Sequence, residues 1–124
     1  MTAKLVSDKL QKRLARALKV AGDTHTIEDI QQAIARGTMQ CFVHGDSFCI
    51  TEVINAPRKR YLNIFLIVGE LSILDIHDDI LAFANEAGCD FLQAYGRFGW
   101  KPVVEKLGWQ AEQILFRRKI GQTI

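Results

Sequence analysis

The sequence predicts a mixed α/β (α+β) fold: a central sheet with helices before it, a main helix after its central strand, and a short helix near the C-terminus. Three observations predict it. Residues 61–68, Tyr-Leu-Asn-Ile-Phe-Leu-Ile-Val, are a nearly unbroken apolar run rich in β-branched and aromatic types, as in a strand covered on both faces. After Gly69 the period changes, and Ile73, Ile76, Ile80, Phe83, Ala84 and Ala87 recur at helical spacing until Gly88, a residue suited to a left-handed C-terminal cap. Before residue 38 the pattern is helical throughout, whereas beyond it short apolar runs broken by turn residues predominate.

Leu10, Leu14, Ala17, Leu18 and Ala21 make one apolar stripe opposite Lys9, Lys12, Arg13, Arg16 and Lys19, which predicts a first helix ended by Gly22 and Asp23. Thr26 followed by Asp29 has capping-box spacing, and Ile27, Ile30 and Ile34 line a second helix that stops near Gly37. Met39 to Val43 and Phe48 to Ile54 read as a hairpin turning at Gly45-Asp46. Asn55-Ala56-Pro57 then leads into the central strand. Asp90 to Tyr95 is a further short strand, expected to be parallel to the central one through a right-handed crossover, with the earlier strands antiparallel. Trp100 to Leu107 makes a short helix with Pro102 in its first turn, and Trp109 to Ile120 reads as a last strand whose Arg117-Arg118-Lys119 suits an edge.

At 124 residues and 48% hydrophobic, the chain suits a single domain over residues 1–124, with helices in 1–37 and the sheet with its packing helices in 38–124. No apolar stretch follows the basic N-terminal residues closely enough to suggest a signal peptide or a membrane span. Cys41, Cys49 and Cys89 are odd in number and lack metal-ligand pairing, so reduced thiols are expected, although Cys41 and Cys49 flank the hairpin and could face one another. His25, His44 and His77 are too scattered for a metal site and are expected at the surface, as are Asp78 and Asp79.

The net charge of +2 conceals a segregation. Lys4, Lys9, Lys12, Arg13, Arg16 and Lys19 crowd the first helix, with further clusters at Arg58-Lys59-Arg60 and Arg117-Arg118-Lys119, whereas residues 70–90 carry only acids. Such asymmetry steers a partner of opposite charge, nucleic acid included, although solvated helix faces explain most of it. The loop of Tyr95, Arg97, Phe98 and Trp100, interrupted by Gly96 and Gly99, combines residue types that anchor interfaces. Lys12, Arg16, Arg97, Phe98 and Trp100 are therefore the candidate interaction residues.

The order of elements, the Ala84-Asn85-Glu86-Ala87-Gly88 helix end, the strand after it and Val104-Glu105-Lys106-Leu107-Gly108-Trp109 together resemble the GCN5-related N-acetyltransferase (GNAT) fold over about Met39 to Ile120. More narrowly, Gly88-Cys89, Gly96-Arg97-Phe98-Gly99-Trp100 and Leu107-Gly108-Trp109 resemble small GNAT-like proteins of tailed bacteriophages. The resemblance implies a coenzyme A pyrophosphate site at an Arg/Gln-x-x-Gly-x-Gly/Ala loop before the main helix. Here that stretch is Gly69-Glu70-Leu71-Ser72-Ile73-Leu74-Asp75, without the Arg/Gln or the paired glycines, so Glu70, Leu71, Ser72 and Ile73 stand as a degenerate cofactor-binding stretch. The family's tyrosine general acid is matched by Val104, which cannot transfer a proton, and Trp109 replaces a phenylalanine. The catalytic residues are thus unknown.

Two functions are expected. The preferred one is a phage-type, non-enzymatic structural or interaction protein with a degenerate acetyl-CoA site and no cofactor, bound to other phage proteins or to itself, in the host cytoplasm or the virion. The alternative is an acetyl-CoA-dependent N-acetyltransferase with a divergent cofactor loop. Nucleic-acid binding ranks third, because the basic helix alone is unspecific. Neither a metal nor a membrane partner is expected.

Overall fold

Helix α1 (Asp8–Val20) buries Leu14 and Leu18 and leaves Lys12, Arg16 and Lys19 exposed, as its stripe dictates. The structure is a computed structural model that describes residues 8–45, 47–68, 73–96 and 100–121. Asp23, at φ 55°, turns the chain out of α1. Helix α2 (Ile27–Arg36) starts at a complete capping box: the Thr26 amide donates to Asp29 Oδ2 at 2.9 Å, and the Asp29 amide donates to Thr26 Oγ1 at 3.1 Å. These bonds from Thr26 hold the Asp29 carboxyl below its ordinary range. Gly37, at φ 81°, supplies the left-handed cap at the other end.

Four strands come next: β1 (Met39–His44), β2 (Ser47–Asn55), β3 (Arg60–Val68) and, after helix α3 (Ile73–Glu86), β4 (Phe91–Ala94). They lie in the order β1-β2-β3-β4, with β1/β2 and β2/β3 antiparallel and β3/β4 parallel. Residues 61–64 of the apolar run of β3 are thus flanked by strands on both sides. Helix α4 (Lys101–Glu105) comes last and is shorter than the sequence suggests. The chain groups into two compact units, one ending at Ala94 and the other starting at Tyr95.

The sheet is covered on both faces, and one register shift distributes its side chains. Ile50 pairs with Leu66 but Thr51 with Ile64, so Phe65 is an extra residue on β3. Leu66 and Val68 therefore join Met39, Phe48 and Ile50 beneath Leu14, Leu18, Ile30 and Ala33 of α1 and α2. On the far side of the bulge, Ile64 and Leu62 turn to the opposite face, the one on which Phe42 meets Phe83 of α3 edge-on at 5.9 Å. Among the described side chains of α3, Ile76, Ile80 and Ala84 are the buried apolar ones.

Arg60 ties three elements together. Its amide donates to Asp90 Oδ2 at 3.0 Å, Nε to Asn55 Oδ1 at 2.8 Å and Nη1 to the Ala87 carbonyl at 2.7 Å, while the Asp90 amide donates back to its carbonyl at 2.6 Å. The guanidinium thus closes the C-terminal end of α3 against the β2–β3 turn, beside Gly88 at φ 72°. Arg60→Ala keeps the backbone bonds and loses the two from the guanidinium, which lowers stability by about 1–2 kcal/mol. Thermal melting checks this. Arg60→Lys should recover less than half, since an ammonium lacks the planar fork, and an unchanged melting temperature for both variants would show that the guanidinium contributes nothing net.

Several expectations need correction. Residues 109–119 enter no strand ladder; residues 110–120 are exposed, because a strand needs an edge to pair with and the unit that begins at Tyr95 has no other strand among its described residues. Cys41 and Cys49 do not face each other. Cys41 pairs with Ile50 and Cys49 with Phe42, which places the two thiols on opposite faces of the sheet. His77 is buried at 6% exposure rather than lying at the surface, since it follows Ile76 and precedes Ile80 on the inward side of α3, whereas Asp78 and Asp79 are exposed as expected. Asp46 of the expected hairpin turn lies outside the described residues.

Candidate functional site

The most distinctive feature of the sheet is where its parallel pair ends. Tyr61, Leu62, Asn63 and Ile64 pair with Phe91, Leu92, Gln93 and Ala94, and there β4 stops. Opposite Phe65–Val68, β3 has no strand partner on this side among the described residues. Four residues of backbone in the middle of the sheet thus present an edge, just upstream of the helix that begins at Ile73. The arrangement is an open strand edge, and an extended chain bearing amide groups can lie along it as a further strand would.

The turn between α1 and α2 meets β3 where this open edge begins. The His25 ring lies 4.8 Å from the ring of Phe65, the bulge residue and the first on β3 past the paired stretch, at an interplanar angle of 58°. Thr24 Oγ1 sits 2.8 Å from His25 Nδ1 and fixes the imidazole from outside.

Two residues before the opening, a polar row crosses three strands. Glu52 pairs with Asn63 and Asn63 with Gln93. Glu52 also pairs with Met39, so the row lies on the same face as the α1–α2 core and His25. Asn63 Nδ2 donates to Glu52 Oε1 at 3.4 Å, and Asn63 Oδ1 is buried with no hydrogen-bond partner. Behind the row, Tyr61 and Phe91 stack at 4.8 Å with their planes 8° apart, and Phe91 keeps 44% of its surface exposed. The face therefore offers a half-buried carboxylate, an imidazole and a flat aromatic wall beside an open strand edge. Such a surface can seat an amine and accept its proton.

The thiols do not belong to this chemistry. Burial pushes Cys49 up to about 12 and Cys41 up to about 11, and it raises Cys89 as well, so none is poised as a nucleophile. Among the described residues, no group of three His, Cys, Asp or Glu could hold a metal ion, and no helix is long and apolar enough to cross a membrane.

The residues singled out from the sequence fall elsewhere. Glu70, Leu71 and Ser72 lie outside the described residues, and Ile73 opens α3. Lys12 and Arg16 stand one turn apart on the exposed face of α1. Arg97 and Phe98 lie outside the described residues, while Trp100 is half-buried just ahead of α4. Val104 is half-buried in α4. Sequence reasoning misses His25, Glu52, Asn63, Phe65 and Gln93 as site residues. A signal for two of them exists: Glu52 and Asn63 are polar residues inside otherwise apolar strand runs, where a buried polar group needs a reason.

No family model matches the sequence, and no curated protein matches it. Solved structures do match. An acetyltransferase from Trypanosoma brucei superposes with a TM-score of 0.65 at 13% identity, over 93% of this chain and 96% of that one. A mutant of a Bacillus halodurans protein gives 0.67 at 12% identity, over 97% and 96%. A structure described as a probable acetyltransferase gives 0.65 at 15% identity, over 100% and 97%. None of these three is described as a phage protein. At such identities the likeness speaks to architecture, and the chain has the mixed α+β fold of GNAT-like acetyltransferases.

Proposed function

We propose that this protein is an acetyl-CoA-dependent N-acetyltransferase that works at the opening between β3 and β4. The observation that carries the reading is the end of strand pairing after Ile64 and Ala94, which leaves Phe65–Val68 as an interior edge beside a carboxylate and an imidazole. Acetyl-CoA supplies the acyl group as a thioester, along with an extended arm that carries amides.

The residues divide the work. Backbone N–H and C=O groups of Phe65–Val68 hold an extended arm by strand-like hydrogen bonds, which need no side-chain signature and so tolerate a divergent loop at residues 69–75. Glu52, steadied by Asn63, receives the proton that the acceptor nitrogen must lose to become nucleophilic. His25, against Phe65, is the second group able to hold that proton. The stacked Tyr61 and Phe91 give the carbon skeleton of an acceptor a flat apolar seat.

Calorimetric titration with acetyl-CoA, with free coenzyme A as the control, tests the reading. Saturable binding with a micromolar Kd, roughly −8 kcal/mol, is the expected result. An absence of heat at millimolar ligand would overturn it and leave the fold a repurposed scaffold.

A further inference from the structure

The turn between β2 and β3 gathers three consecutive cations, Arg58, Lys59 and Arg60, all exposed. The Ala56 amide donates to the Lys59 carbonyl at 2.9 Å, and Pro57 stiffens the chain between them, so the turn holds its shape through backbone alone. Beside it lies a hollow of about 390 Å³, lined by Asn55, Ala56, Arg58, Lys59, Arg60 and Gly88. Gly88 contributes only backbone, and apart from Ala56 every side chain in that lining is polar or charged. Such a wall suits a small hydrophilic occupant.

The protein does not balance the charge of this hollow. The Arg60 guanidinium is fixed by neutral acceptors, Nε on Asn55 Oδ1 and Nη1 on the Ala87 carbonyl. The Asp90 carboxylate accepts from the Arg60 amide instead. Neither Asp90 nor Glu86, the acids on either side of Gly88 in the sequence, lines the hollow. Among the described residues no carboxylate stands within ion-pair distance of Arg58, Lys59 or Arg60. Because Asn55 Oδ1 is taken by Arg60, the Nδ2 of the same side chain is left as a donor.

The hollow is also separate from the strand edge at Phe65–Val68. Asn55 pairs with Arg60 and Glu52 with Asn63, with no shift of register between them. Side chains alternate along a strand, so Asn55 and Arg60 belong to the α3 face, and Glu52, Tyr61 and Asn63 to the other. Along β3, Arg60 and Phe65 are roughly 16 Å apart.

We propose that the hollow at the β2–β3 turn is a second site, independent of acyl transfer, that binds a dianionic phosphate group through Arg58, Lys59 and Arg60, with Asn55 Nδ2 as a further donor. Several uncompensated cations on one rigid turn match a dianion better than a single carboxylate, and a guanidinium already held by two bonds loses little freedom on binding. The ligand is inorganic phosphate or a small phosphate monoester.

NMR titrations of the full chain at constant ionic strength and about pH 8, with inorganic phosphate, methyl phosphate and methyl sulfate, test the site. Methyl phosphate is a dianion there, whereas methyl sulfate, of the same shape, is a monoanion. The expected result is saturable shifts of the amides of residues 56, 58–60 and 88 with the phosphates, at a Kd on the order of 1 mM, and about tenfold weaker binding of methyl sulfate. Arg58→Ala combined with Lys59→Ala should weaken phosphate binding by about tenfold or more. Both side chains are exposed and the turn closes through backbone, so this variant should melt like the parent. Lys12→Ala combined with Arg16→Ala removes the same charge from α1 and should leave the affinity within about twofold. Shifts that grow without saturating would overturn the proposal, as would sulfate and phosphate bound alike, saturable shifts centred elsewhere, or equal weakening by the two double variants. Tighter binding of methyl phosphate than of inorganic phosphate supports the site and makes the ester its ligand; the reverse order supports it with the free ion.

Discussion

Phe48→Ala should remove about 3–5 kcal/mol of stability, the largest loss expected from any single substitution in this chain. Phe48 is 1% exposed and is the largest of the fully buried side chains. It sits on β2 between Val43 of β1 and Val68 of β3, under the cluster that Leu14 and Leu18 of α1 form with Ile30 and Ala33 of α2. Truncation therefore opens a cavity in the core that three strands share with both N-terminal helices. A domain of this size has roughly 5–15 kcal/mol to lose, so the variant should unfold at much lower urea. Phe48→Leu, which keeps most of the volume, should cost less than about 2 kcal/mol. Urea titrations followed by far-ultraviolet circular dichroism measure both. A loss below about 1 kcal/mol for the alanine variant would mean that the helices do not share this core with the sheet.

The parts of the fold legible in the sequence are those set by local periodicity and capping. β3 announces itself as an apolar run, α2 by Thr26 and Asp29, and α3 by its isoleucines and the glycine after it, because each signal acts within a few residues. His77 defies expectation because its own type is polar, whereas its position beside Ile76 and three residues before Ile80 is inward by geometry. Residues 109–120 have the composition of a strand and no strand partner, since pairing is a property of two segments and composition describes only one.

The open edge is hidden for the same reason. That β4 pairs with residues 61–64 and then stops depends on where the crossover returns the chain, which no local pattern specifies. The bulge at Phe65, which decides the face that Asn63 and Glu52 share, is equally out of reach. What can be seen is the anomaly of a glutamate and an asparagine within apolar strands, and those two residues carry the next expectation.

Glu52→Gln should lower kcat for an alkylamine acceptor by about 10²- to 10⁴-fold, the usual loss when a positioned proton acceptor is removed. The substitution is isosteric, and Asn63 Nδ2 can still donate to the amide oxygen at position 52, so the row across the sheet survives. The KM for acetyl-CoA should therefore change little, because the strand edge at Phe65–Val68 lies past this row. The chemistry gives a sharper distinction. An alkylammonium must lose a proton before it can attack, whereas an arylamine is already neutral near pH 7. A proton acceptor at Glu52 thus predicts a large loss with the first and a much smaller loss with the second. Steady-state kinetics on the two acceptors, with His25→Gln measured alongside, separates the roles. Equal losses on both acceptors would make Glu52 a positioning residue, and a greater loss at His25 on the alkylamine alone would move the proton acceptor to His25.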